Sequence, residues 1–172
     1  NLIDYMLLHQ YMQTRDGPDD FGHNNMRLVR RNTPPGPFHL YAWDMEYSMI
    51  DTTGTRDYSY PFPIYSSSRT SSRDITDSIA SVYIRLKDNN PEFRLRYADR
   101  AYMHLFNGGA LTAQNAAERW STRAGEIRSA VVCESARWGD QRRANPYTRD
   151  VEWMAERERL LTGFFPARPA HV

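Results

Sequence analysis

The sequence predicts an α+β domain dominated by helices, and three observations predict it. Two short runs of strand-forming residues flank a Pro/Gly turn near the N-terminus. From residue 72 onward, apolar residues recur at helical spacing between recognisable start and stop signals. The 172 residues are 40% hydrophobic and 13% aromatic, enough for one domain with a core and against disorder.

The elements follow in order. Residues 2–13 place Leu2, Ile3, Met6, Leu7 and Tyr11 on one helical face. Residues 14–25 form a loop by composition, rich in Gly, Pro, Asp and Asn. Residues 26–30 are a short strand, 33–37 must turn, and 38–43 are a second strand with Phe38, Leu40 and Ala42 on one face. The polar stretch 47–72 is the longest weakly patterned segment. Ser71 or Ser72 caps a helix whose Ile75, Ile79, Val82 and Leu86 share a face. Asn90-Pro91-Glu92 starts the next helix, carrying Phe93, Tyr97, Ala101 and Leu105 and stopping at Gly108-Gly109. Thr112 caps a long helix with Ala117, Trp120, Ala124, Ile127 and Val131 inward and Gly139 as its stop. Thr148 opens a last helix with Trp153, Arg157, Leu160 and Phe164, ended by Pro166, and 167–172 is a loose tail. The sequence shows neither an internal repeat nor a low-complexity tract.

Charge narrows the function classes. The 22 basic and 21 acidic residues leave +1, too little for a dedicated nucleic-acid binder. All the basic residues but Lys87 are arginine, so any step needing a compact, tunable ammonium has one candidate. Cys133 is the only cysteine, which excludes an internal disulfide and a multi-cysteine zinc site. The apolar runs are too short for a membrane span. The chain begins with Asn1 and reads at once as a mid-domain helix, with no targeting segment ahead of it. The expectation is a piece of a longer protein, whose compartment is left open.

The acids are unevenly placed. Residues 1–60 hold eight acids against five arginines, clustered in the 14–25 loop and at Trp43-Asp44-Met45-Glu46. An antiparallel hairpin brings the start of its first strand beside the end of its second, so Asn25 and Asp44 belong at one end. With Asp20 nearby they make an all-oxygen donor set, the kind that suits Mg²⁺ with phosphate. Asp20 to Asn25 is also the Asp-to-Asn interval of a protein-kinase catalytic loop. In that scheme Asp20 receives the substrate hydroxyl proton, Asn25 binds metal, and Asp44 grips the metal that bridges the ATP phosphates. The competing reading makes Asp16, Asp19 and Asp20 turn residues, Asn24 and Asn25 strand caps, and Asp44 a loop cap.

The motifs D-x-x-x-N-N (20–25) and W-D-x-E (43–46) resemble the spore-coat CotH family of atypical protein kinases. NPEFRLRYADRAYMHLFNGGALT (90–112) and ESARWGD (134–140) resemble that family's C-terminal half. The resemblance covers nearly the whole chain. It looks more like the large CotH-domain proteins of environmental bacteria than the small spore-former enzymes. It implies an atypical kinase-like large lobe over 1–166: loop and hairpin 14–46 carry the metal site, and 72–165 is a helical bundle. The implied activity is transfer of the ATP γ-phosphoryl group, with Mg²⁺ or Mn²⁺, to Ser/Thr of a surface or spore-coat protein. By the same resemblance Asp20 is catalytic, Asn25 and Asp44 hold nucleotide and metal, and Glu46 reaches the metal or orients Asp44. A small lobe with a phosphate-binding loop and a lysine should precede this segment and is missing, while Lys87 follows Asp44 and reads as a solvated helix-end cation. Two other readings stand beside the kinase: a non-catalytic, pseudokinase-like interaction module of a surface protein, and a metal-dependent phosphohydrolase.

The remaining chemistry-bearing residues read as structural. His23 shapes the loop, and His9, His39, His104 and His171 have no ligand spacing. Cys133 reads as a small buried residue. Trp120, Trp138 and Trp153 read as core, and Trp43 as a support beside Asp44. Arg94, Arg96, Arg100 and Arg123 read as a salt-bridged surface. The 58–72 hydroxyl-rich loop occupies the place of a kinase activation segment or is a linker.

Overall fold

The computed structural model describes residues 1–14, 25–49 and 79–172. Helix α1 (Leu2–Met12) precedes strands β1 (Met26–Arg30) and β2 (Phe38–Ala42). Helices α2 (Ile79–Asn89), α3 (Pro91–Leu105), α4 (Ala113–Ile127) and α5 (Ala130–Trp138) follow. A final helical run is π-helical over Arg149–Trp153, α over Met154–Arg159 (α6), π over Leu160–Phe164, α over Phe165–Ala167 (α7) and 3-10 over Arg168–His171. The described chain is α-dominated, with a two-stranded antiparallel hairpin near its N-terminus, as predicted.

Helix α1 is the element the rest is built on. Its Tyr5 and Met6 join Leu40, Ala80 and Tyr83 in one core cluster. Its Tyr11 joins Leu105, Ala116, Leu160, Phe164 and Phe165 in a second. The predicted single apolar face gives way to burial most of the way round. Tyr5, Met6, Leu7, His9 and Tyr11 are all enclosed, and at 100° per residue they exceed one stripe. Leu2 and Ile3 are only half-buried.

The C-terminal end of α1 explains where the end of the chain goes. Gln13 turns left-handed at φ 53°, and the N–H groups of Gln13 and Thr14 donate to the Gln10 and His9 carbonyls. Arg168, only 2% exposed, donates from Nε to the Tyr11 carbonyl at 2.7 Å and from Nη2 to the Gln10 carbonyl. A guanidinium thus sits on the Tyr11 carbonyl and shares the Gln10 carbonyl with the Gln13 N–H, at the negative end of the helix dipole. Residues 167–172 are therefore not a loose tail, and Val172 packs against the second cluster. Pro166 does not end the helix, contrary to expectation. It lies at the start of a fresh α turn after the wider π stretch, where its missing N–H costs little.

The hairpin pairs Met26 with Ala42 through Arg30 with Phe38, and Gly36 N–H closes the turn on the Arg31 carbonyl at 3.0 Å. Of the predicted inward trio only Leu40 is buried, while Phe38 and Ala42 are exposed. The hairpin is fastened to α1 by Leu40 and by the Asn1 carboxamide. That carboxamide accepts from Leu40 N–H at 2.7 Å and donates to the Leu40 carbonyl at 3.1 Å. Asn1 thereby pairs with the free edge of β2 as a third strand would.

Three predicted N-caps are present: Asn90, Thr112 and Thr148 accept from Phe93, Asn115 and Val151 N–H. The predicted face of α3 also holds, with Leu105 buried and Phe93, Tyr97 and Ala101 half-buried. Gly109 must be glycine, because a Cβ there would lie 2.1 Å from the Met103 carbonyl oxygen. The start of the helix predicted from Ser71 or Ser72, with Ile75, lies outside the described residues. Its described part buries Ala80, Ser81 and Tyr83; of the predicted face, Ile79 packs against that core and Leu86 is half-buried, while Val82 is exposed. Tyr83 wins because its ring reaches Phe93 and Tyr97. The long helix predicted from Thr112 to Gly139 is two. At Arg128 and Ser129 the dihedrals stay helical, but Arg128 N–H bonds Gly125 and Val132 N–H bonds Ser129, a tightening to i→i−3. Ile127 is exposed, as is Cys133, which corrects its reading as a buried residue.

Candidate functional site

The hairpin's open end carries the predicted donors that can be placed. Met26 pairs with Ala42, so Asn25 and Trp43 follow at the same end and Asp44 one step beyond. Asn25 is half-buried, and Asp44 and Glu46 are exposed. Asp44 sits in the left-handed region at φ 56°, uncommon for a residue with a Cβ and best tolerated by Asp and Asn. Neither Asp44 nor Glu46 has a salt-bridge partner among the described residues. Trp43 is half-exposed, with the Arg27 guanidinium 5.1 Å from its ring centroid. Trp43 is therefore held by β1 rather than by a core. Asp20, His23 and Asn24 lie outside the described residues, as does the 58–72 loop.

The donor chemistry fits a hard divalent cation: a carboxamide oxygen and two carboxylates, with no sulfur and no imidazole among the placed members. Asp44 and Glu46 are exposed and have no ion-pair partner among the described residues. Among the described residues no three His, Cys, Asp or Glu side chains converge into a metal cluster.

Other charged groups have structural work. Asp4 Oδ1 accepts from Arg100 Nε at 2.6 Å and lies 3.2 Å from His104 Nε2, tying α1 to α3. Burial pushes the Asp4 carboxyl up, but the bonds from Arg100 and His104 outweigh it and hold the group below its ordinary value. Arg96 pairs with Glu92 and Arg123 with Glu126, and Arg94 donates to the Lys87 and Asp88 carbonyls, as a salt-bridged surface should. Lys87 lies in the last turn of α2.

Sequence reasoning missed two features. His9 is 1% exposed, and neither ring nitrogen has a hydrogen-bond partner among the described residues. The ring meets Tyr5 edge-on at 4.3 Å, and desolvation pushes its pKa down to about 4. The Tyr5 hydroxyl and the Thr14 hydroxyl beyond the helix end are likewise buried without partners. The second is a cleft of about 570 Å³ between α5 and the final helical run, lined by Val131, Trp138, Tyr147 and Trp153 together with Glu134, Glu152 and Glu156. Trp138, expected in the core, is half-exposed there. The density of aromatic and acidic residues over 134–156 was the available signal. No helix among the described residues is long and apolar enough to cross a membrane. Compared with known proteins, the chain matches no family model, no curated protein and no solved structure.

Proposed function

We propose that this chain is the metal-binding large lobe of a CotH-like atypical kinase, transferring the γ-phosphoryl group of ATP to Ser/Thr hydroxyls of a surface or coat protein. The observation that carries the reading is the hairpin register, which puts Asn25 beside Trp43-Asp44 at one end. Asp20, five residues before Asn25, takes the acceptor hydroxyl proton as the oxygen attacks phosphorus in line with the departing ADP. Asn25 and Asp44, with Glu46, would hold Mg²⁺ or Mn²⁺, which supplies charge neutralisation to the phosphates. A small lobe on a longer chain supplies the nucleotide-pairing lysine. Labelling of protein acceptors from γ-labelled ATP by the full-length parent should disappear in Asp44→Ala and in Asp20→Ala. Undiminished labelling in both rejects the assignment. The 172-residue chain alone should bind ATP weakly or not at all by calorimetry, and tight Mg²⁺-dependent binding contradicts the division of labour.

One observation favours a second reading, a non-catalytic interaction module. Lys87 is the only lysine, and it ends α2 with its carbonyl accepting from Arg94. A parent that also lacks a small-lobe lysine would make this lobe a binding surface with unchanged fold.

A further inference from the structure

The cleft between α5 and the final helical run has a chemistry of its own. In a chain with 22 basic residues, no lysine, arginine or histidine among the described residues lines it, whereas Glu134, Glu152 and Glu156 do. The rest of its wall is mostly aromatic and aliphatic, Trp138, Tyr147, Trp153 and Val131, with the small residues Ser135, Gly139 and Thr148 between them. About 570 Å³ is in the range that encloses a side chain with its flanking backbone.

Two of the three carboxylates are already engaged. Glu152 is bound by Arg143 and by Thr148, whose backbone N–H is the main reason its pKa falls to about 2. Glu156 is paired with Arg159. Glu134 has no partner among the described residues, so it is the uncompensated charge at the cleft. The neighbourhood also shows which cation its rings accept. Arg137 stacks 4.8 Å from the Trp138 centroid, and Arg143 stacks 3.8 Å from the Tyr147 centroid while pairing with Glu152. Neither arginine lines the cleft itself. A planar guanidinium satisfies a ring face and a carboxylate together, which a compact ammonium does less well.

We infer that this cleft docks an arginine side chain of an extended segment in a partner protein, with the guanidinium on Glu134 and its stem against Trp138 and Trp153. The site shares no residue with the hairpin end and stands whether or not the chain serves phosphoryl transfer. The experiment is fluorescence anisotropy of a labelled short peptide with one arginine between leucines, titrated with the full chain. The comparison peptide carries citrulline, which keeps the shape and removes the charge. Saturable binding, about tenfold weaker for citrulline, supports the inference. Glu134→Gln should weaken the arginine peptide to the citrulline level, and Trp138→Ala should weaken both peptides, with helical circular dichroism preserved. Glu134 and Trp138 are both exposed, so the fold should tolerate either change. Equal affinity for the two peptides overturns the inference. So does no saturation, or indifference to Glu134→Gln in a chain of unchanged helicity.

Discussion

Helix α1 and the hairpin stand at opposite extremes of the same molecule. Helix α1 has five enclosed residues among eleven and a share in both core clusters. The hairpin has one buried residue, Leu40, and its edge is held by one asparagine side chain. The difference teaches that the scaffold and the candidate chemistry are separable. Changes in or against α1 should be felt as stability. Changes at the hairpin's open end should be felt as function, with the fold intact.

The largest expected break of that contrast is at Arg168. Arg168→Ala uncaps two α1 carbonyls and opens a hole beside them, at a cost of about 4 kcal/mol. Urea denaturation should show it as a lower midpoint with unchanged slope. His9 comes next, through pH. Its folded pKa of about 4 lies below the unfolded 6.5, so the unfolded state binds the extra proton between those values. Stability is full above pH 6.5 and falls as pH drops, by about 2 kcal/mol between pH 7 and pH 5. In His9→Phe that slope should flatten, whereas a retained slope would assign it to another group. Leu40→Ala should cost about 2 kcal/mol, since it removes the hairpin's one buried anchor. Asn90→Ala should cost about 1 kcal/mol by deleting the α3 cap. Smallest is Asp44→Asn, within about 0.5 kcal/mol of the parent by thermal melting, because the side chain is exposed and its left-handed backbone suits asparagine equally. A large loss there would erase the contrast between the two regions.

What could be read from the sequence was local. Caps are short-range chemistry, so Asn90, Thr112 and Thr148 were legible, as were the hairpin and the approach of Asn25 to Asp44. What escaped depended on distant parts of the chain. Tyr83 rather than Val82 takes the inward position between Ile79 and Leu86 because α3 offers Phe93 and Tyr97 across the interface. The break at Arg128-Ser129 needs neither glycine nor proline, since both residues keep helical dihedrals and only the bonding pattern tightens. Arg168 sits between two prolines, which by local rules mark an unstructured end, yet its partners are over 150 positions away. The candidate site was half legible: its register is visible, and Asp20 lies outside the described residues.

Arg168 also bears on the order in which the molecule can be assembled. Helix α1 is synthesised before the other described elements, but the carbonyls of Gln10 and Tyr11 receive their guanidinium only once Arg168 has emerged, more than 150 residues later. An early helix is therefore completed late. A ribosome-held chain truncated after residue 160 should leave the C-terminal end of α1 open to hydrogen exchange, and extension through residues 161–172 should protect it.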